Sequence, residues 1–294
     1  MTKEEQKLAY HISVKGMIVN LGLFAAKGVC GLLIHSVSLL SDAVHSLTDI
    51  FSTLVVLIGL KVSVKPADKE HPYGHERIEC IIAFLLGIML FGIGGIIGYE
   101  GYEKMRFPVD TEPGFTVLNI VAAGSAVLSI VFKEWMFRFT MKCAKKIGSP
   151  SMAADAWHHR SDAISSIGSL AGVIGICTGY AIIDVLACFV ISLFIFKAAY
   201  DICKDACRRM IDTSADSVLI EKMRSDILQN DEVLSVDVLK TRQFGSKLYV
   251  DIEITLESNL SFIHSHETAH LIHDKLENDF PEIKHCMIHV NPSA

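Results

Sequence analysis

Hydrophobic residues in this chain fall into long runs, and the runs predict six helices of membrane-spanning length. An α-helix needs about 20 mostly apolar residues to cross a hydrocarbon core about 30 Å thick. The runs lie at residues 12–33, 37–62, 78–100, 114–137, 153–178 and 182–203. Ile81 to Tyr99 and Gly114 to Phe132 carry no charge. The second, fifth and sixth runs depart from uniform apolarity, because each holds acids or histidines. After Thr213 the period changes. Leu219 to Leu228 predicts an amphipathic helix and Val233 to Thr241 a strand. Leu248, Val250, Ile252, Ile254 and Leu256 alternate with other residues, which predicts a second strand after a turn at Gly245-Ser246. Ser261 to Phe280 predicts a helix stopped by Pro281, and Cys286 to Val290 a last strand. An α-β-β-α-β order in so short a segment implies a small sheet with helices on one face. The expected fold is thus six transmembrane helices over residues 1–210 and an α+β domain over 211–294.

Composition supports this division. The 294 residues are 51% hydrophobic, with a mean hydropathy of +0.40. That is too apolar for an ordinary soluble domain and too polar for a chain embedded throughout. The net charge of −6 is modest, and no basic stretch marks a nucleic-acid partner. Eight cysteines are scattered without a CxxC pair, so no disulfide framework is expected. Met1 to Lys7 lacks a signal-peptide pattern, so membrane insertion is expected to rely on the helices themselves. Cationic residues are unevenly shared. Lys61, Lys65, Lys69 and Arg77 lie at or beyond the end of the second run, Arg138, Lys142, Lys145 and Lys146 beyond the fourth, and Lys204, Arg208 and Arg209 beyond the sixth. The opposite connections hold Lys104 and Arg106. By the positive-inside rule both termini are expected on the cytoplasmic side of an inner or plasma membrane.

The polar residues inside the runs carry the chemistry. Ser38, Asp42, His45, Asp49 and Ser52 form one stripe at helical spacing, and Asp155, His158, Asp162, Ser165 and Ser169 form another. Each stripe contains a histidine four residues before an aspartate, so each offers two metal ligands on one helical face. Facing one another, His45, Asp49, His158 and Asp162 would supply two imidazoles and two carboxylates, a set that suits Zn²⁺ and also serves Mn²⁺ or Fe²⁺. Packing between helices would explain serines in such stripes. Paired acids and histidines at membrane depth point instead to an ion path or proton relay. His159 lies one residue off the register with Asp162, and Asp42, Asp155 and Asn20 are candidates for outer positions. The connection after the second run reads Pro66-Ala-Asp68-Lys-Glu-His71-Pro-Tyr-Gly-His75, where Asp68, His71 and His75 could close on one ion or merely cap a turn.

His266-Glu267-Thr268-Ala269-His270 satisfies the HExxH pattern of zinc proteases, but its helix is too polar for lipid and the surrounding domain too small for a substrate cleft. Two other classes therefore stand beside a transporter: a membrane metalloprotease and a membrane-tethered metal sensor.

The six spans, the HxxxD of the fifth, the Pro-Ala-Asp-x-x-His-x-x-Gly-His connection and Lys240-Thr-Arg-Gln243 together resemble the cation diffusion facilitator family, its bacterial zinc and ferrous-iron efflux members most closely. The resemblance implies a homodimer, not an enzyme, that exchanges cytoplasmic divalent metal for protons, with a ferredoxin-like tail that binds metal and dimerises. Zn²⁺ is the favoured substrate, with Mn²⁺ or Fe²⁺ the alternatives. By position it implies a transport site at His45, Asp49, His158 and Asp162 and a loop site at Asp68, His71 and His75. It also implies a charge lock between subunits at Arg77 and Asp212, and regulatory metal in the tail at Asp237, Glu253, His266 and His289. Some relatives have a mainly histidine binuclear site in the tail and aspartate at position 45, and this chain departs from both.

Overall fold

The computed structural model describes residues 3–33, 37–107, 116–178, 180 and 182–294. The chain divides into two compact units, Met1–Ala206 and Cys207–Ala294.

The first unit consists of long helices: α1 (Lys3–Leu33), α2 (Val37–Ser63), α3 (Ile78–Arg106), α4 (Val117–Ile147), α5 (Pro150–Thr178) and α6 (Ile182–Met210), the last running on into the second unit. Among the described residues five are long and apolar enough to cross a membrane. The second and sixth predicted spans are among them despite their polar residues, α2 over Ser46–Ser63 and α6 over Ile182–Met210. Only α5 does not, since Asp155, His158, His159, Arg160 and Asp162 crowd its first half. Large apolar side chains such as Ile96, Val131, Leu193 and Phe194 are exposed, as helices facing lipid require. Between the helices, Val56 and Leu60 of α2, Leu86 and Leu90 of α3, Met152 of α5 and Ile195 of α6 form the buried core.

Helix ends follow local chemistry. Gly148 takes a left-handed conformation (φ 68°) that ends α4. Ser149 then caps α5 by accepting the Met152 backbone N–H, ahead of Pro150 in the first turn. The same stretch ties in the neighbouring helices: the buried Glu79 carboxylate of α3 accepts the hydroxyls of Ser149 and of Ser63, at the end of α2. On α3, glycines allow α6 to approach closely. A Cβ at Gly98 would meet Ser192 Oγ at 2.9 Å, and Ser192 Oγ donates to the Gly94 carbonyl at 2.8 Å.

The second unit has α7 (Ser217–Ile227), β1 (Ser235–Phe244), β2 (Lys247–Leu256), α8 (Phe262–Asp279) and β3 (Ile283–Pro292), the order that the sequence pattern predicts. The sheet runs β1-β2-β3, with β1 antiparallel and β3 parallel to β2. Ile252, Ile254 and Leu256 face Met223 and Ile227 of α7 and Ile272 and Leu276 of α8 in a separate core. Asp216 and Ser261 cap the two helices through the N–H groups of Val218 and His264.

Candidate metal centre

Three helices bring ionisable side chains together inside the first unit. Asp49 comes from α2, His158 and Asp162 from α5, and all three are buried. His158 Nε2 lies 3.2 Å from Asp49 Oδ1 and 3.9 Å from Asp162 Oδ2. One ligand atom from each of the three lies within 4.8 Å of the other two. Metal bonds of about 2.0–2.2 Å to imidazole and carboxylate place neighbouring ligand atoms roughly 3–4 Å apart, so this trio needs little adjustment to hold an ion. His45, the expected fourth ligand, belongs to α2 by its backbone, but its side chain lies outside the described part of the structure. The same is true of Ser38, Asp42 and Ser169.

The pattern reading missed Lys133. It lies midway along α4, is 2% exposed, and its ammonium bridges two helices: Nζ donates to Asp49 Oδ2 and, at 2.9 Å, to Asp162 Oδ2. It stands directly after the uncharged run, followed by Glu134, so it reads as an interfacial flank. The signal that could have found it is helix length, since α4 continues 14 residues beyond it to Ile147. Asp155 and His159 form a second buried pair one turn away, with His159 Nε2 3.6 Å from Asp155 Oδ2, whose Oδ1 accepts the Thr53 hydroxyl at 3.3 Å. His159 therefore partners Asp155 and not Asp162. The amide atoms of Asn20 are buried without a hydrogen-bond partner, and no ligand role for it follows.

The connection between α2 and α3 holds a second cluster. Asp68 Oδ1 accepts the backbone N–H groups of His71 (2.7 Å) and Glu70 (3.0 Å), and the His71 N–H holds this carboxyl below its ordinary range. His71 Nδ1 lies 3.3 Å from Asp68 Oδ1, and His75 Nε2 lies 3.4 Å from Asp68 Oδ2. Gly74, at φ 95°, makes the turn that returns His75 to the acid. All three offer ligand atoms within 4.8 Å of each other, so the loop can do more than cap a turn.

In the second unit the expected tail ligands do not form one cluster among the described residues. Glu253 and His289 are register partners on β2 and β3 and alternate with the core-facing Ile252, Ile254, Ile288 and Val290. Asp237 is near that face, accepting the hydroxyls of Ser235 and Thr255 and an N–H of Asn291. The Ser235 hydroxyl is the main cause that lowers its pKa. His266 is on α8, across the sheet, stacked with Phe262 and edge-on to His270. Glu267 of the HExxH pattern lies 3.8 Å from His264 on an exposed helical surface. Arg77 belongs to the first unit and Asp212 to the second, where it has a positive φ of 60°.

Comparison with known proteins identifies the family. The family model described as the cation efflux transmembrane domain matches residues 14–211, and that described as the cation efflux protein, cytoplasmic domain, matches 215–293. An uncharacterized transporter of Methanocaldococcus jannaschii is 33% identical, over 95% of this chain and 96% of its own. Manganese efflux system protein MneS of Bacillus subtilis is 32% identical, over 92% and 91%. Metal tolerance protein C1 of Arabidopsis thaliana is 31% identical over 95% of this chain, which spans 61% of that longer protein.

Proposed function

The chain belongs to the cation efflux family of membrane metal exporters, and on that premise we propose that it moves Zn²⁺ and Mn²⁺, with Fe²⁺ behind them, out of the cytoplasm in exchange for protons. The observation that carries this reading is the buried trio of Asp49, His158 and Asp162 drawn from two helices. With His45 on the same helix as Asp49, the donors become two nitrogens and two carboxylates, which favours Zn²⁺. The carboxylates are hard ligands that equally suit Mn²⁺, the metal in the name of the Bacillus relative. Family membership makes the chain a transporter and not an enzyme, so the HExxH pattern is a coincidence of a histidine-rich helix.

In this mechanism both termini are cytoplasmic and metal enters from that side. It binds the quartet and displaces protons from the imidazoles, because only neutral imidazole ligates a metal. A change in helix packing then opens the site to the opposite side, where protons return and metal leaves. The Asp68, His71 and His75 loop is a second, cytoplasmic metal site. The protein works as a homodimer in which Arg77 and Asp212 form a charge lock, and metal at Asp237, Glu253 and His289 regulates it. His266 is placed apart from these three within one protomer.

The test is flux. Purified protein in liposomes holding a metal-sensitive dye should take up Zn²⁺ and Mn²⁺ when a pH gradient is imposed. Asp49→Ala should reduce that uptake about a hundredfold or more, since it removes a ligand and one of the two carboxylates that neutralise Lys133. Uptake that persists in the variant, or that ignores the gradient, would refute the site or the proton exchange respectively.

A further inference from the structure

We propose that Lys133 is the resident cation of the transport site, with its ammonium neutralising Asp49 and Asp162 whenever no metal is bound and being displaced by the incoming ion. This inference rests on the proposal that Asp49, His158 and Asp162 hold the transported metal.

Three observations carry it. Lys133 Nζ donates to one oxygen of Asp49 and to one of Asp162, carboxylates from two different helices, while its own helix supplies a third wall. The same Asp162 oxygen lies 3.9 Å from His158 Nε2, and the same Asp49 carboxylate approaches that nitrogen at 3.2 Å. The ammonium thus holds the Asp162 oxygen that faces His158 and, on Asp49, the oxygen beside the one that does, so it occupies both carboxylates that would ligate metal. All three charged residues are deeply buried, with side chains 6% exposed or less.

Charge arithmetic then separates the two states. Two carboxylates against one ammonium leave a single residual negative charge, which the hydrogen-bonding histidine accommodates. Two carboxylates against a divalent ion leave none. Both together, with ammonium and ion on the same two carboxylates, place an excess positive charge in a low-dielectric site. Exclusion is therefore mutual. Lysine suits an exchange of this kind, because its charge is a point on a flexible four-carbon stem that can withdraw and lay its methylenes along apolar surface.

A structural salt bridge would hold α2, α4 and α5 together in the same way but would predict different kinetics. An alternating-access carrier must return after releasing its metal. Without Lys133 the returning site would set its two carboxylates against the imidazole protons alone, holding metal more tightly and switching more slowly. Lys133 is thus a positioning residue for the return step, and no proton need leave it.

The experiment compares full-length wild type, Lys133→Met, Lys133→Gln, Lys133→Arg and Asp49→Asn, each checked for folding by thermal melting in detergent. Mn²⁺ binding is measured by equilibrium dialysis, and the class of binding that Asp49→Asn removes is assigned to the transport site. In that class the Met and Gln variants should bind about tenfold or more tighter than wild type. In liposomes their net Mn²⁺ flux should fall at least about tenfold, while exchange of labelled for unlabelled Mn²⁺, which needs no metal-free return, stays near wild type. The Arg variant should restore net flux in part. Weaker binding, or net flux and exchange falling together, in folded Met and Gln variants would overturn the role of Lys133 alone. If Asp49→Asn removes no binding, the transport-site reading fails and this inference fails with it.

Discussion

At the residue scale, the two clusters differ in how they were legible. Asp68, His71 and His75 stand within eight residues of sequence, and the structure closes them with one glycine turn. Asp68 also illustrates how a loop fixes a carboxylate's protonation state. Backbone N–H donation, that of His71 first, lowers its pKa, so the carboxylate's contribution is fully present above the ordinary range near 3.9 and lost only as pH falls through the lowered value. Asp68 is therefore ionised throughout the neutral and mildly acidic range. In an Asp49→Asn background, Asp68→Asn should weaken Zn²⁺ binding by about tenfold or more, and by the same factor at pH 7.5 and pH 6.0. A factor that shrinks toward one at the lower pH, measured by dialysis, would show that Asp68 itself titrates there. The membrane cluster was half legible. Spacing along α2 and α5 named Asp49, His158 and Asp162, because periodicity reports which residues share a face of one helix. It does not report what a third helix contributes, and so Lys133 was invisible as a member.

At the scale of elements, hydropathy located the helices but not their ends. α1 begins at Lys3, α4 runs to Ile147 and α6 to Met210, each well past its apolar run. Lysine, glutamate and arginine favour helix, so the backbone continues beyond the lipid where the hydrophobic signal stops. The pairing of α3 with α6 was likewise unreadable, since a glycine in an apolar run gives no partner. The structure supplies one, and a prediction with an internal control. Gly98→Val places its side chain against Ser192 Oγ and threatens the hydrogen bond to Gly94, while a Cβ at Gly95 meets nothing within 4 Å. Gly98→Val should destabilise the protein by about 1–3 kcal/mol and lower its melting temperature in detergent. Gly95→Val should leave the melt nearly unchanged. Equal effects would mean that intrinsic helix propensity, and not α6 packing, governs this face.

For the molecule as a whole, two cores of different physics share one chain. The first unit turns many of its large apolar side chains outward and buries the charges of Asp49, Lys133, Asp155 and Asp162, whereas the second buries apolar residues such as Ile252, Ile254 and Leu256 and exposes most of its histidines. Lipid satisfies the first arrangement and water the second, so their stabilities should respond separately to mutation. Ile254, on the central strand, is fully buried between α7, α8 and the sheet. Ile254→Ala removes three carbons from that core and should destabilise the second unit by about 2–5 kcal/mol. The full-length protein should then show an early transition that carries the loss of β-structure, followed by a later one at the wild-type temperature for the helical unit. The Mn²⁺ binding that Asp49→Asn removes should survive the first transition and disappear with the second. Circular dichroism recorded alongside metal binding during the melt decides the matter. If binding is lost with the early transition, the membrane site depends on the tail for its geometry, and the tail is part of the transport machinery.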